Sequence, residues 1–181
     1  MYLLQSKVFI LIIITALITL YSHLALSFSP GRGEVSINGQ IITSACAIDT
    51  KSFDQTIKMK TTPISQIMRD GQSERHYFSI TLVNCTLENF NPTLQNWRFF
   101  FVTFDGREDA GLFGVDGSAK GIALQISDAQ GNIASPGIPM VKNELQPGTM
   151  EFNYSLRLIG NNQVMKAGNY YSTVRFKMDY Y

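Results

Sequence analysis

The stretch from Gly168 to Tyr181 constrains the fold more than any other part of the chain. From Tyr170 onward one face carries Tyr170, Ser172, Val174, Phe176, Met178 and Tyr180. The other carries Tyr171, Thr173, Arg175, Lys177, Asp179 and Tyr181. Residues two apart share a face of a strand, so this alternation predicts a β-strand with one apolar and one largely polar side. No turn or partner strand follows it in the sequence, and it is expected to form an open sheet edge. Soluble proteins usually blunt or cover such an edge. An edge left ready for pairing implies that another chain supplies the missing neighbour.

The other end of the chain indicates the compartment. Lys7 gives a short positive region, Val8 to Leu20 is a thirteen-residue apolar run, and Ala25-Leu26-Ser27 offers the small residues of a cleavage site. The expectation is a secretory signal peptide over residues 1–27, cut between Ser27 and Phe28. Thirteen residues are too few to cross a bilayer of about 30 Å as a helix. Cleavage leaves 154 of the 181 residues, enough for one domain with a core. Lys7 leaves with the signal, so 14 basic residues face 14 acidic ones. With no charge run and no basic patch, neither nucleic acid nor an anionic surface is an expected partner.

Cys46 and Cys85 are the only cysteines. An even count in an exported chain reads as one disulfide. In the chain-entropy model, closing a loop of this length stabilises by about 4 kcal/mol. A soft-ligand metal site lacks its donors, because the mature chain has one histidine, His76, and no CxxC.

Between these ends the chain reads almost entirely as strand. Alternating or β-branched runs cover Glu34 to Ile42, Tyr77 to Cys85, Trp97 to Phe104, Gly121 to Ser127 and Phe152 to Leu158. Turn signals separate them at Asp105-Gly106, Gln130-Gly131-Asn132 and Gly160-Asn161-Asn162. Pro63 to Arg69 is expected to make one short helical turn, and Leu87 to Asn96 a loop. Short strands punctuated by Gly, Asn and Pro predict an antiparallel β-sandwich.

Catalytic machinery is not apparent. His76 sits at a strand entry beside Arg75, without a nucleophile in a recognisable motif. The acids Asp105, Glu108, Asp109 and Asp116 lie loosely in a Gly-rich loop whose spacing fits no EF-hand, so a solvated loop is expected. Gly111, Gly114, Gly117 and Gly121 lack the Lys-Ser/Thr pair of a phosphate cradle. Sequons at Asn84-Cys85-Thr86 and Asn153-Tyr154-Ser155 fall inside expected strands, where glycosylation is not expected.

Several of these residues carry a resemblance. A glycine at position 168, the alternating apolar residues after it and the penultimate Tyr180 resemble the C-terminal signature of pilins assembled by the chaperone–usher pathway. Gly31 to Ile42, followed by Cys46, resembles the donor arm and first strand of shaft pilins, and the Cys46–Cys85 spacing is similar to that family's single disulfide. Within the family, Phe101 to Gly106, Ala119 to Asp128, Gly131 to Ala134, Ala167 to Tyr170 and Asp179-Tyr180 resemble the terminator, or anchor, minor pilins of P pili. The arm differs from theirs: only Phe28 to Arg32 precede Gly33, as in an ordinary shaft subunit.

The resemblance implies an all-β, incomplete immunoglobulin-like sandwich lacking its last strand, which a donor strand completes. The implied layout is an arm over residues 28–40 running into a pilin domain over 33–181. Val35 and Ile37 would be the arm's apolar plugs, with Gly31 and Gly33 on the same face allowing close backbone approach. Gly168, Val174, Phe176, Met178, Tyr180 and Tyr181 would form the edge that receives a strand, and a chaperone's basic pocket would hold the Tyr181 carboxylate. The implied partners are a periplasmic chaperone, an outer-membrane usher and neighbouring fimbrial subunits. The implied place is a fimbrium on the cell surface, reached through the periplasm. The implied role is structural: terminating fibre growth and anchoring the fibre at the outer membrane, or alternatively serving as a shaft or adaptor pilin. No enzyme activity and no cofactor are implied. The competing reading from residues alone is a self-contained secreted β-sandwich whose last strand merely lies at an edge.

Overall fold

The computed structural model describes residues 44–181, together with Ile13 and Ile14. The chain divides into two units, Met1–Ile41 and Ile42–Tyr181. In the first, Ile13 and Ile14 are helical. The remainder of the expected signal peptide, and the whole expected arm with Gly31, Gly33, Val35 and Ile37, lie outside the described residues.

The second unit is built from antiparallel strands. β1 (Ala47–Ile48) pairs with β2 (His76–Cys85), placing Ala47 opposite Val83. Between them run two short helices, α1 (Thr50–Phe53) and α2 (Ile64–Asp70). The Asp49 side chain caps α1 by accepting from the Lys51 N–H, a local bond that competes well with strand geometry. Gly71 ends α2 in the left-handed region at φ 73°, and its N–H donates to the Ile67 carbonyl. Then follow β3 (Phe99–Asp105), β4 (Glu108–Asp109), β5 (Leu112–Gly114), β6 (Asp116–Gly117), β7 (Ile122–Asp128), β8 (Asn143–Glu144), β9 (Gly148–Gly160), β10 (Tyr170–Tyr171) and β11 (Arg175–Tyr180).

One sheet has the order β1-β2-β9-β7-β5-β4 and the other β11-β3-β8, while β10 and β6 make a separate pair. The two larger sheets meet through aromatic side chains. Phe104 lies edge-on to Tyr154 at 5.1 Å and to Phe78 at 6.3 Å, and Phe100 lies edge-on to Phe152 at 5.1 Å. Ile80, Leu82, Phe100 and Val102 are fully buried in this interface. Each removes apolar surface worth roughly 1.5–3 kcal/mol from water. β7 is buried on both faces. Its outward polar residues are satisfied by β9, with Arg157 Nε donating to Gln125 Oε1 at 2.8 Å and the Ser127 and Ser155 hydroxyls 3.0 Å apart.

Four of the expected runs, Tyr77 to Cys85, Trp97 to Phe104, Gly121 to Ser127 and Phe152 to Leu158, form strands with shifted ends, while Glu34 to Ile42 lies outside the described residues. Two expectations are corrected. The single strand expected from Tyr170 onward is divided: Tyr170 and Tyr171 leave to pair with Gly117 and Asp116, and regular pairing resumes only at Arg175. Gly168 and Val174 therefore precede β11. The diversion is held by the Ser172 hydroxyl donating to the Gly114 carbonyl at 2.9 Å. The Gly-rich acidic stretch, expected as a solvated loop, contains β4, β5 and β6, turned at Ala110 and Gly111, both at positive φ. Phe113 and Val115 bury there, which a reading centred on glycine and charge does not anticipate.

Candidate functional site: the free edge of the last strand

β11 lies at one end of its sheet and pairs with β3 alone, Arg175 opposite Asp105 through Tyr180 opposite Phe100. Just past the strand, the Tyr181 N–H donates to the Phe99 carbonyl at 2.9 Å and the Phe99 N–H donates to the Tyr181 carbonyl at 3.1 Å. Two residues that exchange both bonds form a hydrogen-bonded pair, and along an antiparallel strand such pairs alternate with non-bonded ones. Residues 175, 177, 179 and 181 therefore turn their main-chain groups toward β3. Phe176, Met178 and Tyr180 turn theirs away, toward the free edge. Among the described residues no main-chain group bonds to them there.

The same residues carry the apolar side chains. Phe176, Met178 and Tyr180 are half-buried and pack against the core, as does Val174. Phe176 is 6.3 Å from Phe104, and Tyr180 lies 5.8 Å from Phe100 and 6.3 Å from Trp97. Neighbouring β3 residues are sealed, with Phe100 and Val102 at 0% exposure. The boundary strand is thus incompletely covered on its apolar side. Burial raises the Tyr180 phenol above the ordinary tyrosine range, partly offset by a hydrogen bond with Ser44.

The opposite face of β11 is solvated. Lys177 pairs with Asp179 at 2.9 Å, and Arg175 lies 3.9 Å from Asp105. The Asp179 hydrogen bond holds the Lys177 ammonium above its ordinary pKa. Tyr181 is exposed on this face, stacked on Phe99 at 5.6 Å, and outside the apolar row.

Gly168 stands apart from the edge. A Cβ there would meet Ser118 Oγ and would lie 2.6 Å from the Ala119 nitrogen. The glycine lets the chain cross closely over Ser118-Ala119 and delivers β10 to β6. Cys46 and Cys85 form a disulfide, 39 residues apart in sequence. Cys46 adjoins β1, and Cys85 ends β2 where the pairing with β9 shifts register. The bond ties the segment entering β1 to the end of β2, its neighbour in the larger sheet.

The residues considered for chemistry do not converge. Lys60 N–H donates to His76 Nε2 at 3.5 Å. Asp116 pairs with Arg107, Asp109 accepts from Asn161, Glu108 accepts from the Gly111 N–H, and Asp105 faces Arg175. Among the described residues no three His, Cys, Asp or Glu side chains gather at one point.

An all-β sandwich whose apolar-faced boundary strand is paired on one side only among the described residues defines a structural domain of the immunoglobulin-like kind. No family model matches the chain. Two curated relatives from Escherichia coli, the PRS and the PAP fimbrial minor pilin proteins, are each 33% identical over 150 residues, covering 82% of this chain and 77% of the relative. The major MR/P fimbria protein of Proteus mirabilis is 29% identical over 161 residues, covering 86% of this chain and 88% of its own. The crystal structure of the P pilus rod subunit PapA superposes with a TM-score of 0.67 at 21% identity, over 76% of this chain and all of that one. The chain belongs to the fimbrial pilin family. It is accordingly an exported structural subunit of surface fimbriae rather than an enzyme.

Proposed function

We propose that this subunit is assembled by strand donation between subunits and that it ends fibre growth, holding the base of the fibre at the outer membrane. The observation that carries strand donation is the row Phe176, Met178 and Tyr180. Each offers an apolar side chain inward and main-chain groups outward that no described residue bonds. An added strand satisfies both at once, through ladder hydrogen bonds and side chains filling alternate positions. A periplasmic chaperone lends that strand first, its basic pocket holding the Tyr181 carboxylate. At an outer-membrane usher, arms replace the lent strand in the other subunits, whereas this one keeps it. This chain's own arm, through Val35 and Ile37 with Gly31 and Gly33, plugs the preceding subunit.

Termination is supported by the likeness to minor pilins and by the Tyr180 end of the edge. There the Tyr180 ring clusters with Phe100 and Trp97, and in this reading the cluster leaves an incoming strand little space to begin seating. The likeness to the Proteus mirabilis major fimbria protein favours a second reading, a shaft subunit. One experiment separates them. The chaperone-held subunit is mixed with a peptide of a sister pilin's arm, and release of the chaperone is followed. Retention over hours supports a terminator. Prompt exchange, at the rate of a shaft pilin, overturns it.

A further inference from the structure

On the flank of the sandwich away from β11, β7 turns off after Asp128 while β9 runs on toward its start at Gly148. Leu158 bonds across to Ser73, on the β2 side of β9, so the odd residues of β9 face the β7 side. Beyond Tyr154 no strand pairs with that side among the described residues, and Glu151 to Tyr154 border a cleft of about 320 Å³. Met140, Val141 and Phe152 are its apolar lining residues, and Asn143, Asn153 and Gln130 border it. Tyr154 lines it too. The residue is 4% exposed, with its ring packed against Phe78 and Phe104.

We infer that this cleft is a binding site for a neutral hydroxylated ligand of pyranoside size, a function separate from strand pairing. Among the described residues no lysine, arginine or histidine lines it, which disfavours anions. Asp128 already accepts from the Gln130 and Asn132 N–H groups and the Asn132 amide, so its charge is answered locally. What remains beside the apolar wall is a phenol, two asparagines and a glutamine, able between them to donate and to accept, with the Glu151 carboxylate as a further acceptor. Sugar hydroxyls require that mixture, and their C–H faces fit the wall. The volume sits at the small end of ligand pockets, suited to one or two rings. Burial and the Asp128 charge raise the Tyr154 phenol well above its ordinary pKa, so it stays protonated and able to donate.

The test is a titration of the isotope-labelled, purified protein with methyl galactoside, methyl mannoside and methyl N-acetylglucosaminide, alongside glucosamine and sialic acid as cationic and anionic probes. Millimolar binding of at least one neutral glycoside is expected, with amide shifts centred on Glu151 to Tyr154. Tyr154→Phe, which keeps the packed ring, should weaken binding about fivefold, as loss of one hydrogen bond does. Glu151→Gln should change it less than about twofold, because a neutral ligand does not need the charge. Absence of neutral-glycoside binding overturns the inference, as does binding indifferent to Tyr154→Phe. Selective binding of glucosamine that Glu151→Gln removes would assign the cleft to amines and overturn it equally.

Discussion

Tyr181 and Phe99 exchange two main-chain hydrogen bonds, at 2.9 and 3.1 Å, and that single pair fixes the orientation of every residue in β11. Counting back by twos, the residues with apolar side chains are those whose amides face the open edge. Side-chain alternation and hydrogen-bond alternation have the same period, so their phase is set once. A one-residue slip would put Lys177 and Asp179 on the groove side.

This phase gives a prediction by amide exchange. In the subunit before a strand is added, the N–H groups of Phe176, Met178 and Tyr180 should exchange fast, while those of Lys177 and Asp179 are protected by β3. Adding a strand should slow the first set by at least about tenfold and leave the second nearly unchanged. Equal protection of both sets before addition would show the edge already paired.

Side-chain substitutions should divide along the same line. Phe176→Asp places a charge against Phe104 and should prevent accumulation of the folded subunit, since an unpaired buried carboxylate costs several kcal/mol. Val174→Lys should act in the same direction. Lys177→Gln removes only an exposed ion pair with Asp179 and should change stability by under about 1 kcal/mol. The measurement is periplasmic yield with and without the chaperone. Normal, chaperone-independent yield of Phe176→Asp would mean that the sandwich is self-sufficient.

Much of this edge was legible in the sequence because period-two patterning survives local interruption. Half-burial at residues 170, 172, 174, 176, 178 and 180 continues through the break before Arg175. The break itself was not legible. It depends on a side-chain bond from Ser172 to Gly114 and on the pairing of Tyr170-Tyr171 with Asp116-Gly117, more than fifty residues away. Nor was β8, two residues long, whose neighbour is fixed by β3 rather than by its own composition. The Asp128–Tyr154 cleft arises from unequal strand lengths, which boundaries read from sequence do not resolve.

Gly168 offers a local test of close packing. A Cβ there falls 2.6 Å from the Ala119 nitrogen, on main chain that cannot rotate away. Gly168→Ala should destabilise by about 1–3 kcal/mol, lowering the denaturant midpoint with an unchanged slope. Gly131→Ala, at positive φ with open space around it, should cost less.

The disulfide should matter on a larger scale. Replacing both Cys46 and Cys85 by Ser should cost roughly 4 kcal/mol in the loop-entropy model, a large share of a small domain's stability. The expected readouts are a lower melting temperature and reduced yield, with both thiols of the native protein inert to labelling until reduction. Labelling of both without reductant would remove the bond from the account.

Tyrosine burial sets the alkaline limit. Desolvation, reinforced by Asp128, raises Tyr154 in the folded state, and desolvation also raises Tyr180. Below pH 10 both are protonated whether the chain is folded or not, and their contribution to stability is intact. Above it the unfolded chain loses these protons first, so stability falls with rising pH, by up to about 1.4 kcal/mol per unit for each tyrosine. Urea midpoints between pH 8 and 11 should show the slope, and Tyr154→Phe should reduce it. A flat profile would place both phenols in contact with solvent.

The terminator role is decided in cells. If this subunit's groove keeps its chaperone strand, no further subunit can join behind it, and a fibre that has acquired it stops growing. Deleting its gene should then give longer fibres, released into the medium because their base is no longer held. Ile37→Asp should reproduce the deletion, since a charged plug cannot enter the apolar groove of the last shaft subunit, while folding and chaperone binding stay intact. Opening the Tyr180 end by Tyr180→Ala in a subunit that still folds should have a different effect: the chaperone strand becomes exchangeable, and fibres lengthen with the variant incorporated internally. Immunogold labelling distinguishes the cases, with wild type only at the fibre base and Tyr180→Ala along its length. Complete loss of fibres on deletion would make this protein the shaft subunit, and unchanged length with lost adhesion would place it near the tip.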